Sequence, residues 1–215
     1  EDCPICMLPL PLDGNQIIFE PCCGKDICNG CILGMVEREG ADSLCAFCRT
    51  PDTISDEEII KRTEKLMDKG NADAYYQLAG YYALGRMGMP QDRAKANELL
   101  LKAGELGCVG ANCNLGNAYD NGRGVEIDKK KAKHYFELAA MNGSVKARYN
   151  LGGLENQAGN IHRSLKHFIL AARAGHDKAV GMVKLGFMGG IVGKDEYANT
   201  LRAYQKSKDE VKSEA

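Results

Sequence analysis

The chain has 215 residues, enough for one or two domains, and 44% of them are hydrophobic. Its 28 Lys and Arg residues against 29 Asp and Glu residues leave a net charge of −1, so a large polyanion such as DNA or RNA is not expected as a partner. No run of eighteen apolar residues occurs, and we therefore expect no membrane-spanning helix.

Charge is unevenly distributed along the chain. Residues 1–51 contain 3 Lys or Arg and 8 Asp or Glu residues, a net charge of −5, which argues against a nucleic-acid-binding module in this segment. The sequence begins at Glu1 rather than at methionine, which leaves room for a targeting segment before it. Abundant reduced thiol pairs are typical of a reducing compartment, so we expect a cytoplasmic or nuclear protein.

Eight of the ten cysteines lie between residues 3 and 48 and form four pairs. The pairs are Cys3 with Cys6, Cys22 with Cys23, Cys28 with Cys31, and Cys45 with Cys48. Four thiolates complete the tetrahedral coordination of one zinc ion and leave no open position for catalysis. The spacing therefore predicts two closed, structural zinc sites. If neighbouring cysteine pairs shared an ion, the segment would form two separate zinc knuckles. If alternate pairs shared an ion, the segment would form one compact unit, and the spacing favours this alternating arrangement.

The two middle pairs lie close together, and segments of fifteen and thirteen residues flank them. This arrangement resembles the all-cysteine variant of the RING finger. The resemblance implies that the first and third pairs hold one zinc ion, and that the second and fourth pairs hold the other. The first set is Cys3, Cys6, Cys28 and Cys31, and the second set is Cys22, Cys23, Cys45 and Cys48.

Most RING fingers use a histidine as the fourth ligand, but no histidine precedes His134 here. Cys23, five positions before Cys28, takes that place in the all-cysteine variant, and Asp26 is an alternative ligand. Other uses of the cysteines are disfavoured. A disulfide framework needs a secreted context, a redox CxxC motif needs a thioredoxin-like strand and helix, and PHD or FYVE fingers need histidine.

RING fingers of ligases hold a charged ubiquitin-conjugating enzyme close to a substrate, and their contribution is positioning. The resemblance implies that Ile5, Met35 and Phe47 contact the conjugating enzyme. It also implies that Arg49 hydrogen-bonds ubiquitin and that enzyme together, which suits its planar guanidinium. Ala46 stands where a proline is common. The alternative is that the three apolar side chains form the core of this small domain.

Residues 52–70 follow as a linker. Ser55 and Glu58 have the spacing of a capping box, which predicts that a helix begins there, and Gly70 is expected to end it. We expect this helix either to cover the apolar face of the first repeat or to form a free linker.

From residue 71 the sequence repeats itself every 32 to 37 residues. The repeated positions are Ala74, Ala111, Ala147 and Ala179, with Leu78, Leu115, Leu151 and Val183 four residues later, and Gly107, Gly143 and Gly175. The predicted units are about 71–107, 108–143, 144–175 and a degenerate 176–204, followed by a polar run to residue 215. Each unit predicts a helix, a glycine-containing turn and a second helix, and such hairpins stack on their neighbours.

The second unit is the clearest, because Gly122 and Gly124 supply a flexible turn and Tyr119 and Tyr135 are placed to pack across the hairpin. This unit resembles the Sel-1-like repeat, a relative of the tetratricopeptide repeat. The resemblance implies an adaptor whose curved surface holds another protein. In the third unit the turn is four residues shorter, and Glu155 stands where tyrosine would. Cys108, Cys113 and the four histidines form no catalytic or metal-ligand pattern.

The expected architecture is a small zinc-stabilised RING module of the α+β class in residues 1–51, a linker helix in 52–70 and an all-α solenoid in 71–215. The expected function is that of a RING-type ubiquitin-protein ligase with two structural zinc ions. Its expected partners are a ubiquitin-conjugating enzyme, ubiquitin and a protein substrate on the repeats. The alternative is a non-catalytic zinc-binding scaffold. The sequence leaves open the substrate, the conjugating enzyme, the type of ubiquitin chain and the oligomeric state.

Overall fold

The structure, a computed structural model, describes residues 2–11, 16–39, 44–45, 47–51 and 55–213. Ala46, at the expected proline position, lies outside the described residues. Contacts divide the chain into two compact units. The first unit comprises residues 1–111 and 123–125, and the second comprises residues 112–122 and 126–215. The boundaries expected at residues 51 and 70 stay predictions.

In the part of the cysteine-rich segment, residues 2–51, that the structure describes, the chain forms a two-stranded antiparallel sheet and one helix. Strands β1 (Ile17–Glu20) and β2 (Lys25–Cys28) pair from Ile17 opposite Cys28 to Glu20 opposite Lys25. Gly24 has a φ of +71° in the connecting turn, where its amide donates to the carbonyl of Glu20 at 2.7 Å. Helix α1 (Asn29–Glu39) follows β2 directly and contacts both strands.

The small core of this segment uses one side chain from each element. Phe19 of β1, Ile27 of β2 and Met35 of α1 are buried together with Cys3 and Cys45. The buried apolar side chains among the described residues of this segment stabilise a fold of this size only weakly, which is the usual reason for a metal or disulfide in small domains.

Helix α2 (Asp56–Met67) begins where the capping box predicts it. The Ser55 hydroxyl accepts a hydrogen bond from the Glu58 amide at 3.3 Å, which confirms the predicted cap. The Glu58 carboxylate binds Arg62 Nε at 2.8 Å instead of returning to Ser55, so only half of the box forms. The turn after the helix ends at Gly70, whose φ is +75°. Helix α2 packs against the next helix, as expected for a cover of the first repeat.

The rest of the described chain consists of helical hairpins. Their helices are α3 (Ala72–Leu84), α4 (Arg93–Glu105), α5 (Val109–Asn121), α6 (Lys129–Met141), α7 (Val145–Gln157), α8 (Ile161–Arg173), α9 (Asp177–Met188) and α10 (Lys194–Ser213). The α7–α8 turn is shorter than the turn between α5 and α6, as the sequence predicts. Helix α10 continues beyond residue 204, so the start of the expected polar tail is helical.

The recurring small residues lie at the centre of the hairpins. Ala74, Ala111, Ala147 and Ala179 are completely buried, and the large apolar residues four positions later are buried as well. The turns at Gly107, Gly143 and Gly175 share a left-handed backbone, with φ values of +93°, +90° and +90°. The sequence period therefore corresponds to a repeated backbone geometry.

In the second unit, two glycines allow the helices of a hairpin to approach closely. A Cβ at Gly116 would lie 2.5 Å from two ring carbons of Phe136, and a Cβ at Gly152 would lie 2.6 Å from Phe168 Cε1. Both rings are buried. The aromatic side chains thus occupy the space that an alanine would need.

Among the described residues, no helix combines the length and the apolar composition that crossing a bilayer requires.

Candidate metal centres and the repeat region

The cysteine-rich segment brings its eight thiols together in two groups of four. In each group all four sulfur atoms lie within 4.8 Å of one another. One group is Cys3, Cys6, Cys28 and Cys31, and the other is Cys22, Cys23, Cys45 and Cys48. The first and third pairs therefore lie together, as do the second and fourth, so the pairing alternates along the chain. Asp26 does not join the second group and lies in β2 opposite Phe19.

The spacing of the sulfur atoms fits a tetrahedral metal ion. Cys6 Sγ lies 3.8 Å from Cys28 Sγ, and Cys23 Sγ lies 3.8 Å from Cys45 Sγ. Four sulfurs placed about 2.3 Å from one zinc ion would be about 3.8 Å apart, whereas a disulfide would bring two of them to about 2.05 Å. A donor set of four thiols without oxygen ligands suits zinc rather than magnesium or calcium. Either group could therefore hold one such ion.

The first and last cysteine pairs lie in backbone turns of the same type. The Met7 amide donates to the carbonyl of Cys3 at 2.8 Å, and the Arg49 amide donates to the carbonyl of Cys45 at 2.9 Å. Met7 and Arg49 are both left-handed, with φ values of +62° and +58°. Such values are uncommon for residues other than glycine. The turn places the two sulfurs of each pair on one side and the side chain of the following residue at the surface.

Burial and crowding shift the acidity of the clustered thiols. Burial, together with hydrogen bonds to neighbouring thiols, raises the pKa of Cys22 and of Cys31 far above the ordinary value of 9.0, and it raises the pKa of Cys23 to about 11. At Cys3 burial acts in the same direction, but amide donors outweigh it and lower the pKa to about 6. Several thiols held this close cannot all ionise unless a cation compensates their charge.

The four residues expected to contact a conjugating enzyme differ in their exposure. Phe47 is 37% exposed with Lys25 Nζ 5.5 Å from its ring centre, Arg49 is exposed and Ile5 is half-buried. Met35 is only 9% exposed and belongs to the core, contrary to its expected place on a docking surface. It lies on a different side of α1 from Leu33, which is 53% exposed.

Sequence reasoning missed the exposed apolar residues Met7, Leu33 and Val36. Their positions in the sequence relative to the cysteines gave no indication that these side chains would be exposed. A helical wheel of α1 would have separated Leu33 from Met35, but it would not have shown which side of the helix packs on the sheet.

The repeats contain a recurring pair of a tyrosine and a lysine. Tyr119 stacks on Tyr135 with ring centres 5.6 Å apart, which confirms the predicted packing across the hairpin. Lys131 Nζ lies 5.1 Å from the Tyr119 ring centre, and in the first repeat Lys95 Nζ lies 4.3 Å from that of Tyr82. The same sequence positions therefore make the same cation–π contact in two repeats.

The third repeat replaces this contact with a buried carboxylate. Glu155 is 4% exposed and accepts hydrogen bonds from Lys133 Nζ at 2.6 Å and from Asn160 Nδ2 at 2.7 Å. The bond from Lys133, followed by that from Asn160, lowers the pKa of Glu155. The side chain is paired and therefore stabilises the hairpin rather than offering a free acid.

Amide side chains link two repeats of the second unit. Asn150 Nδ2 of α7 donates to Asn117 Oδ1 of α5 at 3.2 Å, and Asn117 Nδ2 donates to the carbonyl of Cys113 at 3.0 Å. Asn117 and Asn150 are half-exposed. Amides can donate and accept at once, so they suit contact with the backbone of another chain.

Cys108, Cys113, His167 and His176 of the repeats pack against neighbouring side chains or are partly buried. Cys113 is buried, and burial raises the pKa of Cys108 to about 11, so neither thiol is activated. His176 stacks on Tyr149 with ring centres 4.4 Å apart, and burial lowers its pKa and that of His167. None of them joins a metal-binding group among the described residues.

Comparison with known proteins identifies the helical region. The Sel1 repeat family model matches residues 72–108, 109–144 and 145–176. The ERAD-associated E3 ubiquitin-protein ligase component HRD3B of Arabidopsis thaliana is 33% identical over 115 residues, covering 52% of this chain and 18% of that protein. Chitin synthase regulatory factor 4 of Schizosaccharomyces pombe is 26% identical over 133 residues, covering 61% of this chain and 21% of that protein. The chain thus spans about a fifth of the length of these relatives.

A solved structure has the same helical fold. A Sel1 repeat protein from Oxalobacter formigenes superposes with a TM-score of 0.62 over 73% of this chain and 65% of its own, at 21% identity. The matched repeat boundaries differ by a single residue from those predicted from the sequence. Residues 72–176 of this chain are therefore three Sel1 repeats.

Proposed function

We propose that this protein is a zinc-stabilised adaptor whose Sel1 repeats hold a partner protein. The three consecutive Sel1 repeats are the observation that carries the proposal. The names of the two relatives describe a ligase component and a regulatory factor, which are accessory roles played beside another protein. No catalytic arrangement is found in the described part of the repeats, where the thiols and the buried Glu155 serve packing and pairing.

The partner surface in this proposal includes the amide link of the second unit. Asn117 and Asn150 orient each other, and each remains half-exposed. Their side chains are therefore already ordered before a partner binds to their remaining donor and acceptor groups. Preordered side chains lose little rotational freedom when a partner binds, which favours affinity.

In the cysteine-rich segment the two groups of four thiols would each hold one zinc ion. The ions would supply structural cross-links and no catalysis, because four protein ligands fill the coordination sphere. Structural zinc contributes on the order of 10 kcal/mol to small domains, which this segment needs because its apolar core is small. Zinc content measured by elemental analysis of the purified chain should be two ions per chain.

A photo-crosslinking experiment tests the adaptor role. A photoreactive amino acid at Lys146, an exposed position of α7 one turn before Asn150, captures a partner, which is identified, purified and titrated against the intact protein. The N117A/N150A variant should bind that partner about tenfold more weakly, because it removes the paired amides. Lys166→Ala, at an exposed position of α8, serves as the matched control and should bind normally. Equal affinity of both variants would contradict the proposed surface.

A second candidate function is that of a RING-type ubiquitin ligase. The alternating arrangement of the two thiol groups supports it, because this pairing is the one that the RING resemblance implies. The exposed Phe47 and Arg49 and the half-exposed Ile5 would then form the docking surface, with Leu33 in the place expected for Met35. The chain would position a charged conjugating enzyme and supply no nucleophile of its own.

An autoubiquitination assay with a panel of conjugating enzymes separates the two functions. In a ligase, Arg49→Ala should lower ubiquitin transfer at least about tenfold, because a guanidinium that bridges two partners is lost. Arg38→Ala, an exposed arginine of α1, is the matched control and should retain activity. No transfer by the zinc-loaded chain across the panel would rule out the ligase and leave the adaptor.

A further inference from the structure

A groove in the first unit lies between the cysteine-rich segment and helix α2. It has a volume of about 430 Å³. Pro21, Cys22 and Thr50 line it on the side of the cysteine-rich segment. Neither the Sel1 repeats nor the expected docking residues Ile5, Phe47 and Arg49 contribute to its lining.

The α2 side of the groove is basic. Lys61, Arg62, Lys65 and Lys69 line it, and Glu58 is the one carboxylate among the lining residues that the structure describes. Lys61 and Lys65 are four residues apart and lie on one side of α2, and Lys69 extends this row from the turn after the helix.

The described residues that line the groove carry four basic groups and one carboxylate. Arg62 Nε donates to Glu58 Oε1 at 2.8 Å, so these two groups compensate each other. The three lysines are exposed, and in the described ranges none of them has an ion-pair partner within 4.0 Å. The groove therefore keeps a net positive charge.

We propose that this groove binds an acidic, extended peptide segment of a partner protein. Residues four apart on a helix are separated by about 6 Å along its axis, and alternate residues of an extended peptide are separated by about 6.6 Å. Aspartate, glutamate or phosphorylated side chains at every second position of a peptide would thus meet Lys61, Lys65 and Lys69 in turn. The peptide lies along α2, next to Cys22 and Thr50.

A peptide fits this groove better than a nucleic acid does. Residues 1–51, which supply one side of the groove, carry a net charge of −5. A long polyanion would extend beyond the lysine row and be repelled by this net negative charge, whereas a short peptide ends within the row. The binding is expected to weaken with salt, because the lysines are exposed.

Fluorescence anisotropy with the full chain tests the proposal. The probe is a labelled nine-residue peptide with glutamate at alternate positions and serine between them. A peptide with glutamine in place of glutamate and a single-stranded oligonucleotide of equal net charge are the comparisons. We expect the acidic peptide to bind at least about tenfold more tightly than either comparison, and to weaken when salt rises from about 50 mM to about 200 mM.

The K61Q/K65Q/K69Q variant should bind the acidic peptide about tenfold more weakly, and Lys65→Gln alone about threefold more weakly. The K130Q/K166Q/K184Q variant changes three exposed lysines of the second unit and is the control for net charge, with unchanged binding expected. Metal content and circular dichroism are measured on every variant.

Three results would overturn the proposal. Equal binding of the glutamate and glutamine peptides would show that charge does not select the ligand. Tighter binding of the oligonucleotide would assign the groove to nucleic acid. Loss of bound metal in the Lys65→Gln variant would make the lysines counter-charges of the second thiol group rather than a peptide site.

Discussion

The close contact between α7 and α8 allows the effect of a single methyl group to be worked out. In Gly152→Ala the new Cβ would lie 2.6 Å from Phe168 Cε1 and 2.7 Å from Cδ1. The ring is 2% exposed and cannot move outward without opening the core. Such overpacking costs about 1–3 kcal/mol, and the higher helix propensity of alanine offsets up to about 1 kcal/mol of it. With the full offset, we expect a net destabilisation of about 0–2 kcal/mol.

The neighbouring glycine of the same helix is the matched control. A Cβ at Gly153 would meet nothing within 4 Å, so Gly153→Ala should stabilise the protein by about 0.5–1 kcal/mol. Urea unfolding followed by circular dichroism gives both free energies of unfolding, and hydrogen exchange in α7 and α8 locates the change. If Gly152→Ala were as stable as Gly153→Ala, the close helix approach would be wrong.

The first repeat suggests a rescue. There, Ala79 and Leu100 stand at the sequence positions of Gly152 and Phe168, so alanine occurs together with the smaller leucine. Phe168→Leu should therefore tolerate alanine at position 152, and the double variant should be more stable than the sum of the two single effects predicts. Strict additivity would show that the two positions do not share the space.

Three further predictions concern the metal, the buried acid and a helix cap. Chelation should make residues 2–51 sensitive to protease while most of the helical circular dichroism remains; simultaneous loss of both would contradict separate stabilisation. Because Lys133 lowers the pKa of Glu155 below 4.5, the stability from this pair is complete above pH 4.5 and declines as pH falls through the lowered pKa. Glu155→Gln should remove that decline in urea midpoints measured from pH 7 to pH 3. Asp128→Ala should lower the free energy of unfolding by about 1 kcal/mol, because Oδ1 accepts two amide hydrogen bonds at 2.9 and 3.0 Å, whereas Asp128→Asn should not.

The repeat architecture could be predicted because its signals are local and recur. Ala111 and Ala147 are one repeat period apart, and both positions require a small buried side chain. Gly107 and Gly143 are also one period apart, and both have a left-handed backbone. A match of this kind repeats several times along the chain, so chance agreement is small. The stacking of Tyr119 on Tyr135 follows from the same register.

The prediction of the two thiol groups rested on fewer sequence signals than the prediction of the repeats. The spacing of the cysteines favoured alternating pairing, and the RING resemblance supplied which pairs would share an ion. The orientation of α1 could not be predicted, because it depends on which side of an eleven-residue helix meets the two strands. Met35 therefore turned out buried while Leu33 turned out exposed.

Some interactions were beyond sequence reasoning because they depend on competition between partners. Glu58 has the spacing to return to Ser55, but it binds Arg62 on the next turn. Glu155 interrupts the tyrosine pattern, and only the positions of Lys133 and Asn160 explain how a buried carboxylate is tolerated there.

The alternating order of the thiol pairs has a consequence for how the segment assembles. The chain between Cys6 and Cys28 contains the pair Cys22 and Cys23, so the first ion to bind would close a loop that already holds half of the second group. Closing a shorter remaining loop costs less conformational entropy, and the second ion would enter a partly ordered site. Metal uptake would then be cooperative, with few half-loaded molecules. The segment would respond to zinc supply as a threshold, folded above it and unfolded below it.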